Sequence, residues 1–148
     1  MFAKKSQKQK LVILGAGSFA PEVVDLIEET GKYTATAFVE SQDRSKTEKP
    51  LLGLPVIWID EAATFASSHQ AVCSLGTTHR RGFIEQAEKL GFSFATIIHP
   101  SANLSAKSSV GEGSILSRGT IIAAYADIGK HVLINRGSLI GHHTKIAS

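Results

Sequence analysis

From Ile98 to Ile146 an apolar branched residue returns at every sixth position: Ile98, Leu104, Val110, Leu116, Ile122, Ile128, Ile134, Ile140 and Ile146. One step after each, the residue is mostly small (Ser105, Gly111, Ser117, Ala123, Gly129, Gly141, Ala147). Four steps after, it is small or β-branched (Ala102, Ser108, Ser114, Thr120, Ala126, Val132, Ser138, Thr144). An amphipathic helix repeats its apolar positions about every 3.6 residues and a half-buried strand about every 2. A period of six fits neither, but it fits a coil that closes after three hexads, so that each branched residue stacks on its counterpart one coil away. The reading is a β-solenoid, a fold that buries its core only by stacking and exposes strand edges at its open end.

Residues 10–97 read differently. Lys10 to Leu14 is a short buried strand entering the glycine turn Gly15-Ala-Gly-Ser-Phe-Ala20. A helix follows with Pro21 in its first turn, an apolar face of Ala20, Val23, Val24 and Ile27, and Gly31 as its stop. Tyr33 to Val39 is a second strand ending at Glu40, and polar Ser41 to Pro50 is a loop. Gly53 to Ile57 forms a turn and strand, Asp60 caps a helix over Glu61 to Ala66, and Ala71 to Leu75 is a further strand. Thr78 caps a helix from His79 to Leu90, and Phe92 to Ile98 is a last strand leading into the solenoid. Alternating strands and helices predict an α/β domain with a parallel sheet, Rossmann-like but about half of a full dinucleotide fold. The expected organisation is a flexible basic tail over 1–9, this domain over 10–97, and the solenoid over 98–148.

Composition narrows the classes. No apolar run approaches the roughly 18 residues of a membrane helix. The start MFAKKSQKQK is basic, but Leu11 to Leu14 is too short for a signal-peptide core. The single cysteine, Cys73, lies in an apolar run and reads as a buried strand residue; lacking an internal disulfide suits the cytoplasm. A net charge of +3 with only 7% aromatic residues gives no basic stripe interleaved with aromatics, which argues against nucleic acid as a partner. The six histidines offer no ligand spacing except the adjacent His142 and His143, which argues against a metal site.

The glycine turn has the form G-x-G-x-x-A between a strand and a helix. Gly15, Gly17 and Ser18 are placed to bring backbone N–H groups and a helix N-terminus against a phosphate. Glu40, at the end of the second strand, stands where a carboxylate accepts a hydrogen bond from a ribose hydroxyl. The second nucleotide-binding half is absent, its place taken by the solenoid, so a full NAD-dependent enzyme is not expected.

Together, the strand-GAGxxA-helix opening, Gly53-Leu-Pro-Val56, Leu75-Gly-Thr-Thr-His-Arg-Arg81 and Phe94-Ala-Thr-Ile-Ile-His-Pro-Ser-Ala102 running into hexads resemble the PglD/NeuD-type sugar O-/N-acetyltransferases of bacterial glycan synthesis. The resemblance covers nearly all of residues 10–148. It implies a short left-handed parallel β-helix of hexapeptide repeats, an exception to the right-handed crossover rule. At the implied coil length the solenoid holds a little under three coils, near the roughly three needed for stability. The expectation is that a C-terminal portion is missing or that neighbouring subunits supply the support. The resemblance further implies that the first domain holds a UDP-sugar or related sugar nucleotide, that the solenoid binds acetyl-CoA as co-substrate, and that active sites lie between subunits of a homotrimer.

It also implies site residues. His142, two steps after Ile140, projects outward at a corner of the coil and matches the family's general base; an imidazole titrates near neutrality and can take the proton of an attacking amine or hydroxyl. Asn135 matches an asparagine kept near that base. His143 stands where the family commonly has Asp or Glu; it can accept the same hydrogen bond but brings no negative charge. Phe19 replaces a histidine common in the family's glycine turn, among the residues that contact the sugar nucleotide. His99 reads as structural, His131 as a residue that could line the cleft, and His69 and His79 as surface or capping residues. The reading is an acetyl-CoA-dependent sugar acetyltransferase. The rival is a non-catalytic nucleotide-sugar-binding or assembly module with an incomplete acetyl-CoA site.

Overall fold

The computed structural model describes residues 7–148, so the first six residues of the basic tail lie outside the described residues. Strands β1 (Gln9–Leu14), β2 (Tyr33–Glu40), β3 (Val56–Trp58) and β4 (Gln70–Cys73) form a parallel sheet in the order β3-β2-β1-β4. Leu11 to Leu14 are all fully buried because both faces of the sheet are covered, as a continuous apolar run in a parallel strand requires. Leu11 and Ile13 pack with Val23, Leu26 and Ile27 of helix α1 (Ala20–Thr30). Val12 and Leu14 pack with Phe83, Ile84 and Ala87 of helix α2 (Arg80–Lys89), on the opposite face. Pro21 lies in the first turn of α1 and Gly31, at φ 67°, ends it, as the sequence predicts.

Several local expectations are corrected. Asp60 caps nothing: Ile59–Phe65 is a 3-10 helix that starts before it, and the Asp60 carboxylate accepts the Trp58 indole N–H at 3.1 Å. Ile59 and Ala62 are buried at i, i+3, the spacing a 3-10 helix aligns on one side. Thr78 does not cap α2 with its side chain; the carbonyls of Thr77 and Thr78 take the N–H groups of Arg80 and Arg81. The loop after β2 contains a 3-10 turn, Arg44–Glu48, capped by the Asp43 side chain. Phe92 to Ile98 is not one strand. Ser93 and Ala95 bond to Ala71 beside β4, whereas Ile97–Ile98 (β5) pairs with the solenoid, so one stretch serves two differently directed sheets.

The solenoid consists of two-residue strands β5 to β13, beginning at residues 97, 103, 109, 115, 121, 127, 133, 139 and 145. They form three parallel sheets, β5-β8-β11, β6-β9-β12 and β7-β10-β13. The register Ile98↔Leu116↔Ile134 sets one coil at eighteen residues, three hexads as the sequence predicts. Leu116, Ile122, Ile128 and Ile134 are buried in its axis, while Ile98, Leu104, Val110, Ile140 and Ile146 at the ends are half-buried. Small polar residues bond inside the corners: Ser114 Oγ donates to the Gly129 carbonyl at 2.8 Å, and Thr120 Oγ1 to that of Ser117 at 2.7 Å.

The residue before each stacking position points outward, and the three faces differ. Ile97 and Ile115 are buried in the cluster that also holds α1, with Leu133 packed against it. Ser109, Asp127 and Lys145 make a polar face. The third face carries Ile121 and Leu139, 47% and 74% exposed. Cys73 is buried, and burial pushes its thiol pKa up, as befits a strand residue. No helix among the described residues is long and apolar enough to cross a membrane.

Candidate active site

Strand order reverses between β1 and β4, each followed by a turn into a helix on opposite faces of the sheet. The crevice at the carboxyl ends of two such strands is where open α/β sheets take their ligands. The glycine turn is fastened there on both sides: the Gly15 N–H bonds to the Val39 carbonyl at 2.8 Å, and Ser74 Oγ donates to the Leu14 and Gly15 carbonyls at 3.1 and 2.9 Å. Gly15 has φ 98°, and a Cβ on it would stand 2.8 Å from Leu75 Cδ2. A Cβ on Gly17 would meet nothing within 4 Å, so packing within the chain does not demand that second glycine. The N–H groups of Gly17, Ser18 and Phe19 have no partner among the described residues and stand at the start of α1. Ser18 is exposed; Phe19 packs on the core cluster, anchoring the turn.

Glu40 is 4% exposed. Its Oε1 accepts the Ser41 and Gln42 N–H groups, both at 2.9 Å, and Oε2 accepts Lys46 Nζ at 3.1 Å. Burial pushes its pKa up, but the Gln42 N–H, the Lys46 ammonium and the Ser41 N–H outweigh burial and hold the carboxyl below 4.5. A ribose hydroxyl there would have to share the oxygen that carries Lys46.

On the solenoid, His142 and His143 are exposed at the corner after β12 (Leu139–Ile140). Their Nδ1 atoms lie 3.0 Å apart, and the His143 ring stacks on Tyr125, one coil back, with centroids 4.9 Å apart and planes 30° apart. Lys107, a further coil back, sets its ammonium 5.3 Å from the Tyr125 ring. Tyr125 and His143 have φ 61° and 60°, and His131 has 56°. Each such non-glycine residue costs about 1–3 kcal/mol, and residues of this kind concentrate at functional sites.

Asn135 is exposed on the preceding corner, with β12 between it and His142, and no hydrogen bond joins the two. The same corner grips α1. Arg136 reaches Glu22 at 3.2 Å; Arg118, one coil back, reaches Glu29 at 2.7 Å and Glu22 at 3.6 Å. His99 bonds Glu29 at 2.6 Å and Ser101 at 2.7 Å, which bears out its structural reading. The grip sets the glycine turn beside the Asn135 corner, and His142 stands one corner further round. Arg118 and Arg136 were not picked out from the sequence: their spacing of one coil, and the seven-residue spacing of Glu22 and Glu29 on one helix, show only that each pair shares a face. His131 lines a cavity of about 550 Å³ between α2 and the solenoid, with Arg80, Glu88 and Lys130. It packs edge-on to Phe94 at 4.6 Å, and burial pushes its pKa down. His79 is exposed at the start of α2, and His69 shares a hydrogen bond with Ser68.

Residues 10–87 match the family model described as the PglD N-terminal domain. Among solved structures, a histidine-to-asparagine mutant of the perosamine N-acetyltransferase from Caulobacter crescentus, in complex with CoA and GDP-perosamine, superposes with a TM-score of 0.82 at 27% identity, over 94% of this chain and 66% of that one. PerB from the same organism, with the same two ligands, gives 0.79 at 28% identity over 92% and 64%. The acetyltransferase domain of PglB from Neisseria gonorrhoeae, in complex with acetyl coenzyme A, gives 0.80 at 26% identity over 96% and 69%. The chain spans just under two thirds of the length of the two Caulobacter structures. No protein of curated function matches the sequence.

Proposed function

The chain belongs to the PglD/NeuD-type family, whose N-terminal domain it carries over residues 10–87, and from that premise we propose that it transfers acetyl from acetyl-CoA to a nucleotide-activated amino sugar or related sugar. In this reading residues 10–97 are a Rossmann-like domain that holds the sugar nucleotide. Residues 98–148 form a left-handed β-helix domain that brings up the donor. The similar structures bound to CoA and GDP-perosamine, and to acetyl coenzyme A, support that pairing of substrates.

The observation that carries the reading is the exposed His142–His143 pair on a corner held in the left-handed region. His142 Nε2 takes the proton of the sugar amine or hydroxyl as it attacks the thioester carbonyl. A backbone N–H of the coil meets the oxyanion of the tetrahedral intermediate. The C–S bond then breaks, and the leaving thiolate recovers the proton from His142. The N–H groups of Gly17 and Ser18 hold the phosphates, with Gly15 shaping the turn and Phe19 anchoring it. Asn135 lines the path between turn and base, and Glu40 faces the nucleoside through the oxygen shared with Lys46.

The uncovered face with Ile121 and Leu139 lies between the Asn135 and His142 corners, and an apolar stripe there suits a second copy of the chain. A homotrimer would bring the glycine turn of one subunit towards the His142 corner of its neighbour. The test is free-thiol release from acetyl-CoA against a panel of UDP- and GDP-amino sugars and sialic acid, for the wild type and His142→Ala. Release that depends on one sugar and vanishes in the variant supports the proposal. Silence across the panel, with a sugar nucleotide still raising the melting temperature, would turn the reading to a non-catalytic binding module.

A further inference from the structure

We infer that the cavity of about 550 Å³ between α2 and the solenoid binds a small oxyanion, the phosphate or carboxylate group of a metabolite, around Arg80. This site is separate from the glycine turn and from the His142 corner, and its occupancy needs neither. Its charged lining is Arg80, Arg81, Glu85, Glu88, Lys130 and His131, the first four from α2 and the last two from the corner after β10. All but one of these groups have a partner of opposite charge or an imidazole at hand. Arg81 faces Glu85 at 3.8 Å, Lys130 holds Glu112 at 2.6 Å, and Glu88 stands 3.8 Å from His131 Nε2. Arg80 alone pairs with no carboxylate and donates no hydrogen bond among the described residues, and its Nε and Nη2 are buried.

A guanidinium withdrawn from water without an acceptor has lost hydration and gained nothing in return, and a buried charge is ordinarily paired. The neighbour on its inner side is the Cys73 thiol, whose pKa burial pushes up; a neutral thiol is a weak acceptor and brings no charge. Arg80 is half-buried with Nε and Nη2 closed off, so Nη1 is the edge that meets the cavity. Thr78 adds a hydroxyl that bonds to nothing among the described residues, and Lys130 a second ammonium from the solenoid side. His131 Nδ1 is also buried without a partner, but it lies against Gly113, so the imidazole forms the wall and Arg80 the anchor. A cavity of this size has room for a small metabolite. The one uncompensated charge in its lining is positive, and an oxyanion on it gains a charge-assisted hydrogen bond while fastening α2 to the coil corner.

The test is thermal melting of the full chain in Tris chloride, with inorganic phosphate and malonate added separately, paired with carbon–proton NMR of the histidine rings. Arg80→Met keeps the length of the side chain and removes its charge; Gly17→Ala is the control for an anion on the glycine turn; His131→Asn assigns the His131 ring signal. The wild type is expected to melt higher with at least one probe and to shift its His131 signal with it. The probe that binds tells phosphate from carboxylate. Gly17→Ala should respond as the wild type does, whereas Arg80→Met should bind at least about tenfold more weakly. Without either probe, Arg80→Met should melt no lower than the wild type, because it removes an uncompensated charge. No response to either probe overturns the inference, as does a response that survives in Arg80→Met. A response lost in Gly17→Ala puts the anion on the glycine turn and overturns it too. An Arg80→Met that melts lower in Tris chloride makes the guanidinium a structural partner and overturns it likewise.

Discussion

A methyl group placed on Gly111 would stand 2.5 Å from the carbonyl carbon of Gly129, one coil further on. The two glycines let successive coils touch backbone to backbone at this corner, and the obstacle is main chain held in a ladder of hydrogen bonds, so it cannot swing aside. Gly141 sits at the corresponding step of another hexad, where a Cβ would come no closer than 3.7 Å to Thr144 Oγ1. Gly111→Ala is therefore expected to destabilise by about 1–3 kcal/mol or more, and Gly141→Ala by less than about 0.5 kcal/mol. Urea unfolding of the two variants checks this, and equal losses would contradict it.

The two glycines of the turn separate stability from binding. Gly15→Ala meets Leu75 and places a side chain at φ 98°, so it should lower the melting temperature. Gly17→Ala meets nothing, so its melting temperature should match the wild type while the stabilisation by sugar nucleotide falls by a factor of ten or so, about 1.4 kcal/mol. Thermal shift with and without ligand reads both. Unchanged ligand binding in Gly17→Ala would remove the turn from the site.

Glu40 is held below its ordinary 4.5 in the fold. A depressed carboxylate contributes stability that is present above the unfolded value and is lost as pH falls through the folded one. Glu40→Gln should unfold at lower urea concentration than the wild type at pH 7, by about 1.5–3 kcal/mol for hydrogen bonds to a charged group. The gap should close below pH 4.5. A gap that persists in acid would mean that shape rather than charge holds the loop after β2.

His131 works with the opposite group and the same direction in pH. Burial against Phe94 lowers its folded pKa from 6.5. As pH falls through that unfolded value, the unfolded chain takes the proton first and stability drops until the folded value is reached. His131→Asn should flatten this slope; Asn tolerates φ 56°, so the loss at pH 8 should be confined to the ring's packing on Phe94, about 1 kcal/mol. Melting temperature against pH for both proteins is the measurement; parallel curves would exclude His131 as the source.

Much of this architecture was legible beforehand because its causes are local. The hexads announce a coil since each branched residue needs only its counterpart one coil away. The glycine turn, Pro21 and Gly31 mark their own boundaries. The misread elements are those with a distant cause. Phe92 to Ile98 reads as one strand by its apolar run, yet Ala71 and Ile115 draw its two halves into different sheets. Asp60 looks like a cap, but burial of Ile59 and Ala62 starts the helix earlier. The Lys46 ammonium on Glu40 is not a misreading but a contact that the sequence reading of Glu40 did not include.

The order of the residues alone settled the periodic core, the turn chemistry and the presence of an outward histidine after Ile140, because periodicity, backbone preference and side-chain direction act within a few residues or one regular repeat. The identity of the faces, the grip of Arg118 and Arg136 on α1, and the meeting of His143 with Tyr125 came only with the folded chain. Each depends on how far round the prism a corner falls and which helix lies against it. Those are distances summed over many residues, and no local preference encodes them.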